Sequence, residues 1–536
     1  MEFLSLLCHL LIIGLSAALP LYTGGTYWKL GDTKYILFRN LALFCLAVWL
    51  AASICEGIRR LVLRREKPGA GNAAECGDRA GNRRISVLSP GLYRRLSTVD
   101  VWMLCYGAGV VLSALFSRYR ETAWLGYNEW YMGALSQLIF VGIYFFVSRC
   151  YDGKQYSLLL GGTAAFVVFV LGICHRLGQD PSGLMDGFGI KNWEYSHMLS
   201  TIGNINWFCG YCSVALVFPV AAYLKGVSRW KRLAAYIISV LGLMLLMIQG
   251  SDIGIILVAV CLFVCMIAGI WDGSVLRGTV ALGTGVSILL PIYGLSVRLL
   301  GESAREAIPV DGFCRALADW QGWWLLGAAG AGLYVGLGRL LRVGGKQQTL
   351  RRIAVGAVVF LALAGIAGGL VFALKGSFDG GWGNGRGALW SITLQAFWQN
   401  DVLQKLFGVG PDCFAEYIYS AFAGGKLPAL EGRWAGTIFA NAHNEWLNHL
   451  LNLGVAGMVS YLGIFISGLG RYRKFLPGVL ALILYGTVSL TGFQQVLSTP
   501  LLFMTLGIAE RFARASEDFP LVREQEEYYE VGQIQD

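Results

Sequence analysis

The polar residues around His443 are of types that could do chemistry. Residues 441–454 combine an imidazole, several amides and a carboxylate at the start of a long apolar segment. Imidazole is suited to proton transfer near neutral pH, and unpaired polar groups beside a membrane span cost on the order of several kcal/mol. These residues therefore make His443 a candidate for proton transfer. Asn444 and Asn448, four apart on one helix face, could bind hydroxyl groups or orient the imidazole.

Arg386 is the residue best suited to bind an anion near that site. It lies between two glycines, Gly385 and Gly387, at the start of the stretch that ends at His443. A guanidinium keeps its charge and binds phosphate through two parallel hydrogen bonds. The alternative interpretation is that Arg386 anchors the chain to lipid headgroups.

Two further polar segments interrupt apolar stretches. Asn204 and Asn206 begin one apolar run, and Ser251 with Asp252 begins another. Both segments are candidates for substrate binding. Each also has a structural interpretation: amides cap helices and bond between helices in membranes, and Ser and Asp are common N-cap residues.

The sequence predicts no metal ion and no cofactor. His449 follows His443 by six residues, whereas a helical metal site uses positions i and i+4, so His449 is predicted to be structural. Cys209 and Cys212 form a CxxC pair, but no second pair accompanies it. Walker A loops, dinucleotide-binding glycine patterns and nucleophile elbows are absent in the required context.

These candidates lie in a very apolar chain. The 536 residues are 56% hydrophobic and 14% charged, and the mean hydropathy is +0.57. A soluble domain of this composition would lack the polar surface that it needs. Apolar runs long enough to cross a bilayer recur throughout. They predict an all-α, polytopic transmembrane bundle of about 14 spans, near residues 3–22, 35–56, 101–117, 129–148, 156–174, 203–223, 233–249, 252–271, 278–298, 321–341, 353–374, 445–468, 476–494 and 498–515.

The charge distribution predicts the orientation of these spans. The net charge of +10 fits an excess of Lys and Arg in cytoplasmic loops better than nucleic-acid binding. The longest basic stretch, 57–100, is expected to be a cytoplasmic loop. Both termini are then cytoplasmic, including the acidic tail 516–536, and the protein resides in the cell (cytoplasmic) membrane.

The largest predicted outer loop is 375–444, and it ends at His443. Residues 389–398 have apolar positions at helical spacing and are expected to form a surface helix. Gly408 and Gly410 are expected to form a turn, and 413–423 a second short helix. The chain is predicted to divide into an N-terminal helical region, a central region with this loop, C-terminal helices and a tail, at 1–200, 200–470, 471–515 and 516–536.

The order of these motifs resembles the O-antigen ligase/polymerase family of polytopic membrane glycosyltransferases. The resemblance covers about residues 200–470. Its motifs are Gly203-Asn204-x-Asn206, Arg386 with Trp390, Gly408-x-Gly410-Pro411-x2-Phe414, and His443-Asn444-x2-Leu447-x6-Gly454-x2-Gly457.

The resemblance implies a GT-C-like architecture and a metal-independent transferase with its active site on the extracytoplasmic face. Such enzymes move a glycan from a polyprenyl diphosphate, such as undecaprenyl diphosphate, to an acceptor hydroxyl in cell-surface polysaccharide or cell-wall biosynthesis. His443 would accept the hydroxyl proton and Arg386 would offset charge on the diphosphate. The other motif residues are implied to bind substrate, namely Asn444, Asn448, Gly408, Gly410, Asn204, Asn206 and Ser251. The implied partners are the bilayer, the lipid-linked donor and a glycan, lipid or wall-polymer acceptor.

One position departs from the family pattern, which often has an arginine where this chain has Asp252. A second phosphate-binding cation would then come from elsewhere, with Arg118, Arg120, Arg305, Arg315 and Arg433 as candidates. Ligase and polymerase are not distinguished by these motifs. Two other functions also fit intramembrane polar groups: a transporter or permease, and a non-catalytic factor in cell-wall assembly.

Overall fold

A computed structural model of the chain describes most of the protein. The described residues are 2–24, 27–65, 96–184, 197–226, 228–300, 312–342, 348–349, 351–359, 363, 382–422 and 438–518. Within them the chain is helical apart from loops and one two-stranded sheet, in which Met198–Leu199 (β1) pairs antiparallel with Gly203–Asn204 (β2). The prediction of an all-α protein is confirmed.

The first helix contains a π-helical turn that was not predicted for its span. The first helix, α1, passes through a π-helical turn at Gly14–Ala18 into Leu19–Leu21, and a 3-10 turn at Tyr27–Lys29 leads into α2. The α-helices up to the middle of the chain are α1 (Glu2–Ile13), α2 (Leu30–Arg65), α3 (Thr98–Phe116), α4 (Arg120–Leu125), α5 (Ala134–Cys150), α6 (Tyr156–Arg176), α7 (Ile205–Ala215), α8 (Val217–Lys225) and α9 (Arg229–Ile248).

The second half continues the same pattern, and residues 351–359 are also helical. Its α-helices are α10 (Asp252–Ala268), α11 (Gly273–Leu299), α12 (Gly312–Asp319), α13 (Gly322–Arg342), α14 (Trp382–Gln399), α15 (Val402–Phe407), α16 (Phe414–Glu416, continued by a π-helical segment Tyr417–Phe422), α17 (Glu445–Arg471), α18 (Leu476–Val488) and α19 (Thr499–Asp518).

Nine helices in the described part of the chain are long and apolar enough to cross a membrane. Three shorter apolar helices, α5, α10 and α18, accompany them. The chain is therefore a multi-pass membrane protein. Of the predicted spans, 353–374 lies largely outside the described residues. Helix α2 continues to Arg65, past the predicted end of its span at residue 56, and residues 66–95 of the basic loop lie outside the described part.

A buried cluster of charges connects three helices at one end of the bundle. Helix α3 begins with a capping box between Ser97 and Asp100. The Asp100 carboxylate also accepts hydrogen bonds from Arg149 (3.0 Å) and from Arg514. Arg514 in turn pairs with Glu510 (2.8 Å). Buried charges are stable only when paired in this way, so the cluster connects the ends of α3, α5 and α19.

Helix α17 is broken at Gly454, whose φ of +67° and ψ of −171° are not helical. The break frees two carbonyl groups of the preceding turn. The N–H of Val409 donates to the Leu451 carbonyl (3.1 Å), and the N–H of Gly410 donates to that of Asn452 (3.0 Å). The segment after α15 thus inserts into the break and satisfies backbone groups that would otherwise be unpaired in an apolar environment.

This insertion explains the glycines of the predicted turn. Gly408 and Gly410 have φ of +80° and +126°. A Cβ atom at Gly408 would lie 2.2 Å from the Asn452 carbonyl oxygen, and one at Gly410 would lie 2.4 Å from Ser117 Oγ. Only glycine combines these backbone angles with such a close approach. The predicted turn is confirmed, and residues 389–398 and 414–422 are helical as predicted. The position of the first of these helices on the membrane surface stays a prediction.

Candidate functional site

The His443 side chain is held just before helix α17 begins. Asn444 is the N-cap of that helix: its Oδ1 accepts from the N–H of Leu447 (3.0 Å), and its Nδ2 donates to the carbonyl of Leu490 (3.0 Å). The N–H of His443 donates to Asn441 Oδ1 (3.0 Å), and its φ is +47°. A left-handed backbone is uncommon outside glycine, and residues held in it cluster at functional sites.

The imidazole of His443 is half-buried between two aromatic rings. Phe493 and Phe439 contact it edge to face, with centroids 5.2 and 5.8 Å away. Neither ring nitrogen has a hydrogen-bond partner among the described residues. Burial, with a smaller contribution from the positive charge of Arg386, lowers the pKa of His443 to about 4. The imidazole is therefore neutral at pH 7 and can accept a proton.

Arg386 lies near enough to His443 and to Asp252, at the start of α10, for their charges to interact. It lies in the first turns of α14, where Nη1 donates to the Gly383 carbonyl (3.3 Å). Its buried Nε has no hydrogen-bond partner within the described part of the chain. Burial lowers the pKa of Arg386, and the nearby carboxylate of Asp252 opposes that shift. The fold thus brings together a neutral imidazole, a guanidinium and a carboxylate from three separate elements.

Asn204, Asn206 and Ser251 also come together, mainly through contacts with one another. Asn204 caps α7, with its Oδ1 accepting from the N–H of Asn206 (2.8 Å). Ser251 Oγ donates to Asn206 Oδ1 (2.9 Å), which joins the starts of α7 and α10. These contacts match the structural interpretation of Asn204 and Asn206, whereas Ser251 stands at the N-cap position of α10 without a capping hydrogen bond and bonds Asn206 instead. Substrate binding by the three side chains stays a prediction.

A row of aromatic rings connects these amides with His443. Trp207, next to Asn206, contacts Trp130 edge to face at 5.8 Å. Trp130 contacts Phe493 in the same way at 4.7 Å, and Phe493 contacts His443. Aromatic faces and edges can pack against the apolar C–H surfaces of a ligand while nearby polar groups orient it.

A narrow polar pocket lies beside this aromatic row. Its empty space, counted to the open mouth, is about 390 Å³. Asn448 lines it, and its Oδ1 accepts from the N–H of Ala442 (3.3 Å). Asn452 Oδ1 is buried there without a partner in the described structure. The full lining is Trp130, Met132, Gln137, Pro411, Asp412, Asn441, Asn448, His449, Asn452, Leu453, Phe493 and Gln494.

Asp412 is the pocket residue that sequence reasoning missed. Its side chain is buried, and Oδ2 accepts from the N–H groups of Tyr127 (2.7 Å) and Met132 (2.9 Å). Burial raises its pKa to about 7, although these two hydrogen bonds favour the carboxylate. Its φ is +59°. Its position directly after the Gly408-x-Gly410-Pro411 turn is the sequence feature that could have identified it.

His449 belongs to the helical core, as predicted. Its Nδ1 lies 2.8 Å from the Glu445 carbonyl oxygen, its Nε2 lies 3.2 Å from the Tyr106 hydroxyl, and its ring stacks on Tyr461. The carboxylate of Glu445 is buried with it and accepts from Tyr461 and from Ser489 Oγ (3.0 Å). These contacts place His449 and Glu445 in a hydrogen-bonded network inside the bundle.

Gly408 and Gly410 lie in the turn that inserts into the break in α17. Gly408 and Gly410 donate their N–H groups to the Gln404 and Asn452 carbonyls, so their part in substrate binding stays a prediction.

The candidates for a second phosphate-binding cation do not gather at the site. Arg305 and Arg433 lie outside the described residues. A buried cation absent from the predicted set, Arg176, donates from Nη2 to the Gln249 carbonyl beside Ser251. The remaining candidates, Arg118, Arg120 and Arg315, show no described contact with Arg386 or His443.

Among the described residues, no group of three or more His, Cys, Asp or Glu could hold a metal ion. No protein-family model matches the chain, and no curated protein matches it.

Proposed function

We propose that the protein is an extracytoplasmic glycosyltransferase that moves a glycan from a polyprenyl diphosphate to an acceptor hydroxyl during cell-surface polysaccharide biosynthesis. The observation that supports this most is the proximity of Arg386 to a neutral, partly accessible His443. The reaction needs both groups: a base for the hydroxyl proton and a fixed cation for the departing diphosphate.

In the proposed reaction, the acceptor oxygen attacks the anomeric carbon of the donor sugar. The new glycosidic bond forms as the bond from that carbon to the diphosphate oxygen breaks. The hydroxyl proton passes to an unprotonated ring nitrogen of His443, and the diphosphate leaves with its polyprenyl chain. Arg386 stabilises the negative charge on the leaving oxygen, in a site where burial strengthens that interaction.

Donor binding would also prepare the base. In the free protein, the charge of Arg386 contributes to the low pKa of His443. A bound diphosphate would offset that positive charge and so raise the pKa of the imidazole. The imidazole would become a stronger base only when the donor is in place. The sugar rings would then lie along Trp207, Trp130 and Phe493, and Asn448 would bind hydroxyl groups.

We also propose the membrane topology predicted from the sequence. About fourteen spans would place both termini in the cytoplasm and the 375–444 segment outside. His443 and Arg386 would then face the side on which lipid-linked glycans are used. The acceptor decides between a ligase and a polymerase: a polymerase takes a second lipid-linked glycan, whereas a ligase takes a different lipid, a wall polymer or another glycan.

The test uses purified protein. In the first arm a polyprenyl-diphosphate oligosaccharide is both donor and acceptor, and in the second arm the acceptor is a glycolipid without a polyprenyl diphosphate. Mass spectrometry measures released polyprenyl diphosphate and the extended product. We expect turnover by the wild type, a loss of about 10²- to 10⁴-fold in His443→Ala, and a similar loss in Arg386→Ala.

Lys405→Ala is the matched control for the loss of a cation, because Lys405, in α15, shows no described contact with His443 or Arg386. It should keep wild-type turnover. Wild-type turnover by His443→Ala would reject the assigned base. Equal turnover by all variants would place the reaction elsewhere in the protein.

Transport is a second candidate, because the discontinuous helix α17 is also a feature of transporters. However, the backbone of residues 408–410 fills the break, and its freed carbonyls are already bonded. Protein in liposomes that moves the lipid-linked donor across the bilayer, with equal rates in wild type and His443→Ala and no product formed, would favour transport.

A further inference from the structure

A large groove lies between α8, α9, α11 and α13. Its lining residues are more than 100 positions before His443 in the sequence. Its volume is about 1180 Å³, counted to the open side. Tyr223 is near the end of α8, and Arg229 and Arg232 are in the first turn of α9. The groove therefore opens at the end of the bundle where these two helices are joined. Its size and open side distinguish it from the narrow pocket beside His443.

Two guanidinium groups line the groove without an acidic partner. Arg229 and Arg232 are three residues apart, so they lie on the same face of α9. Both are exposed, and neither forms an ion pair in the part of the chain that the structure describes. Arg232 Nε donates to the Tyr223 carbonyl (3.2 Å), which directs its side chain across the groove. No Asp or Glu is among the described lining residues.

The walls of the groove are apolar below this pair. Leu233, Ala281, Ala331 and Val335 line it, and Leu233 and Val335 are nearly half exposed. Tyr334 lies opposite, held by Arg277, whose guanidinium is 4.0 Å from the ring centroid. An apolar channel with cations at one end matches an amphiphile that has one anionic group and a hydrocarbon chain.

Exposed tryptophans mark this end of the helices as a membrane surface. Trp230 in α9 is 74% exposed, and Trp271, just before α11, is 67% exposed. Tryptophan concentrates where the hydrocarbon core meets the headgroups. The basic residues at the same end, including Lys225, Lys231 and Arg342, are those expected on the cytoplasmic side, where anionic lipids attract basic segments.

We infer that this groove binds one anionic phospholipid, with the phosphate on Arg229 and Arg232 and an acyl chain between Leu233, Ala331 and Val335. A guanidinium pair suits a phosphodiester because each group can donate two parallel hydrogen bonds. The apolar walls distinguish a lipid from a free phosphate ion. This inference does not depend on the proposed transferase function.

The test is native mass spectrometry of the full-length protein released from nanodiscs of phosphatidylglycerol and phosphatidylcholine with identical acyl chains. The wild type should retain phosphatidylglycerol in preference, and Arg229→Gln/Arg232→Gln should lose about tenfold or more of that preference. Val335→Trp should lose bound lipid of both kinds, because the indole fills the acyl channel while the charges remain.

Lys231→Gln is the matched control for the single variant Arg229→Gln, because it removes one positive charge from the same helix turn but lies outside the groove. It should keep the wild-type preference. If the double variant does not fold, Arg229→Gln alone, which keeps the bond from Arg232 to Tyr223, should still reduce the preference several-fold. Equal retention of both lipids by the wild type, a loss in Lys231→Gln as large as in the double variant, or displacement of the lipid by millimolar inorganic phosphate would each overturn the inference.

Discussion

Gly454 lies directly against Gly408: a Cβ atom on Gly454 would be 2.6 Å from the Gly408 backbone nitrogen. Two residues 46 positions apart in the sequence are thus in backbone contact, and the motifs around them form one structure.

The first prediction concerns that contact. Gly454→Ala should destabilise the protein by about 3 kcal/mol or more, because alanine disfavours a φ of +67° and its Cβ would contact backbone atoms that cannot move away. Thermal unfolding in detergent measures the loss. Gly470→Ala, in the same helix with open space around its Cβ, should be neutral or slightly stabilising. Equal melting temperatures for both variants would show that the contact is not tight.

The second prediction concerns the influence of Arg386 on His443. Arg386→Gln should raise the pKa of His443, because removing a positive neighbour makes the imidazolium easier to form. The pKa should stay below its ordinary value, because burial is the larger cause of the shift. The pH dependence of diethylpyrocarbonate modification, corrected with His443→Ala, reports it. Lys405→Gln should leave this profile unchanged. An unchanged or lower pKa in Arg386→Gln would refute the interaction.

The third prediction concerns Asp412. Its pKa in the folded protein is about 7, above the value of about 3.9 expected in the unfolded chain. The folded state therefore binds the proton more tightly, and this contribution to stability is lost as pH rises from about 4 to about 7. Between pH 5 and pH 8, the wild type should lose stability on the order of a few kcal/mol relative to Asp412→Asn.

Melting temperatures at three pH values are sufficient to test this. Glu121→Gln, at an exposed carboxylate in α4, is the matched control and should follow the wild-type dependence on pH. Parallel profiles for the wild type and Asp412→Asn would mean that Asp412 does not titrate in this range.

The fourth prediction separates structural from substrate-binding roles for Ser251 and Asn206. Ser251→Ala should cost about 1 kcal/mol, and a double-mutant cycle with Asn206→Ala should give a coupling of about 0.5 to 1.5 kcal/mol, since Ser251 Oγ donates to Asn206 Oδ1. Ser467 lies near the C-terminal end of α17. The losses of stability in Ser251→Ala and Ser467→Ala should therefore be additive in the double variant.

Steady-state kinetics of the same variants give a second measurement. If the pair is only structural, the KM for the lipid-linked donor should stay at the wild-type value when each variant is assayed at the same interval below its melting temperature. A tenfold rise in KM with unchanged kcat would instead assign the side chains to substrate binding.

Much of the architecture follows from local patterns, which explains why it could be predicted. Apolar runs indicate the helices, Asn204 begins a helix as asparagines often do, and Gly408 and Gly410 form a turn. Each of these depends on a few adjacent residues. The π-helical turn after α1 was not predicted, although its small residues Gly14 and Ser16 and the proline at position 20 distinguish it from the helix before it.

The chemistry of the site depends on distant contacts. Asp412 is buried because the chain near residues 127–132 folds over it, 280 or more positions away. The charge of Arg386 acts on His443, and that of Asp252 on Arg386, only in the folded protein. The residue types identified Arg386 and His443 as candidates, whereas the environment that makes the imidazole neutral had no signal in the sequence.

The break in α17 also divides this helix into two parts with different partners. Beyond the break, Arg471 is held by two bonds to Glu510, at 2.6 and 2.9 Å, within the buried charge network. Before the break, the backbone bonds of the short segment that carries His443 are completed by residues 409 and 410. The turn leading to Asp412 and the segment that carries His443 are thus fixed to each other by main-chain bonds. Tyr461, beyond the break, holds the same segment through the Glu445 carboxylate and the His449 ring. The relative placement of the imidazole and the Asp412 carboxyl group is therefore set by the backbone.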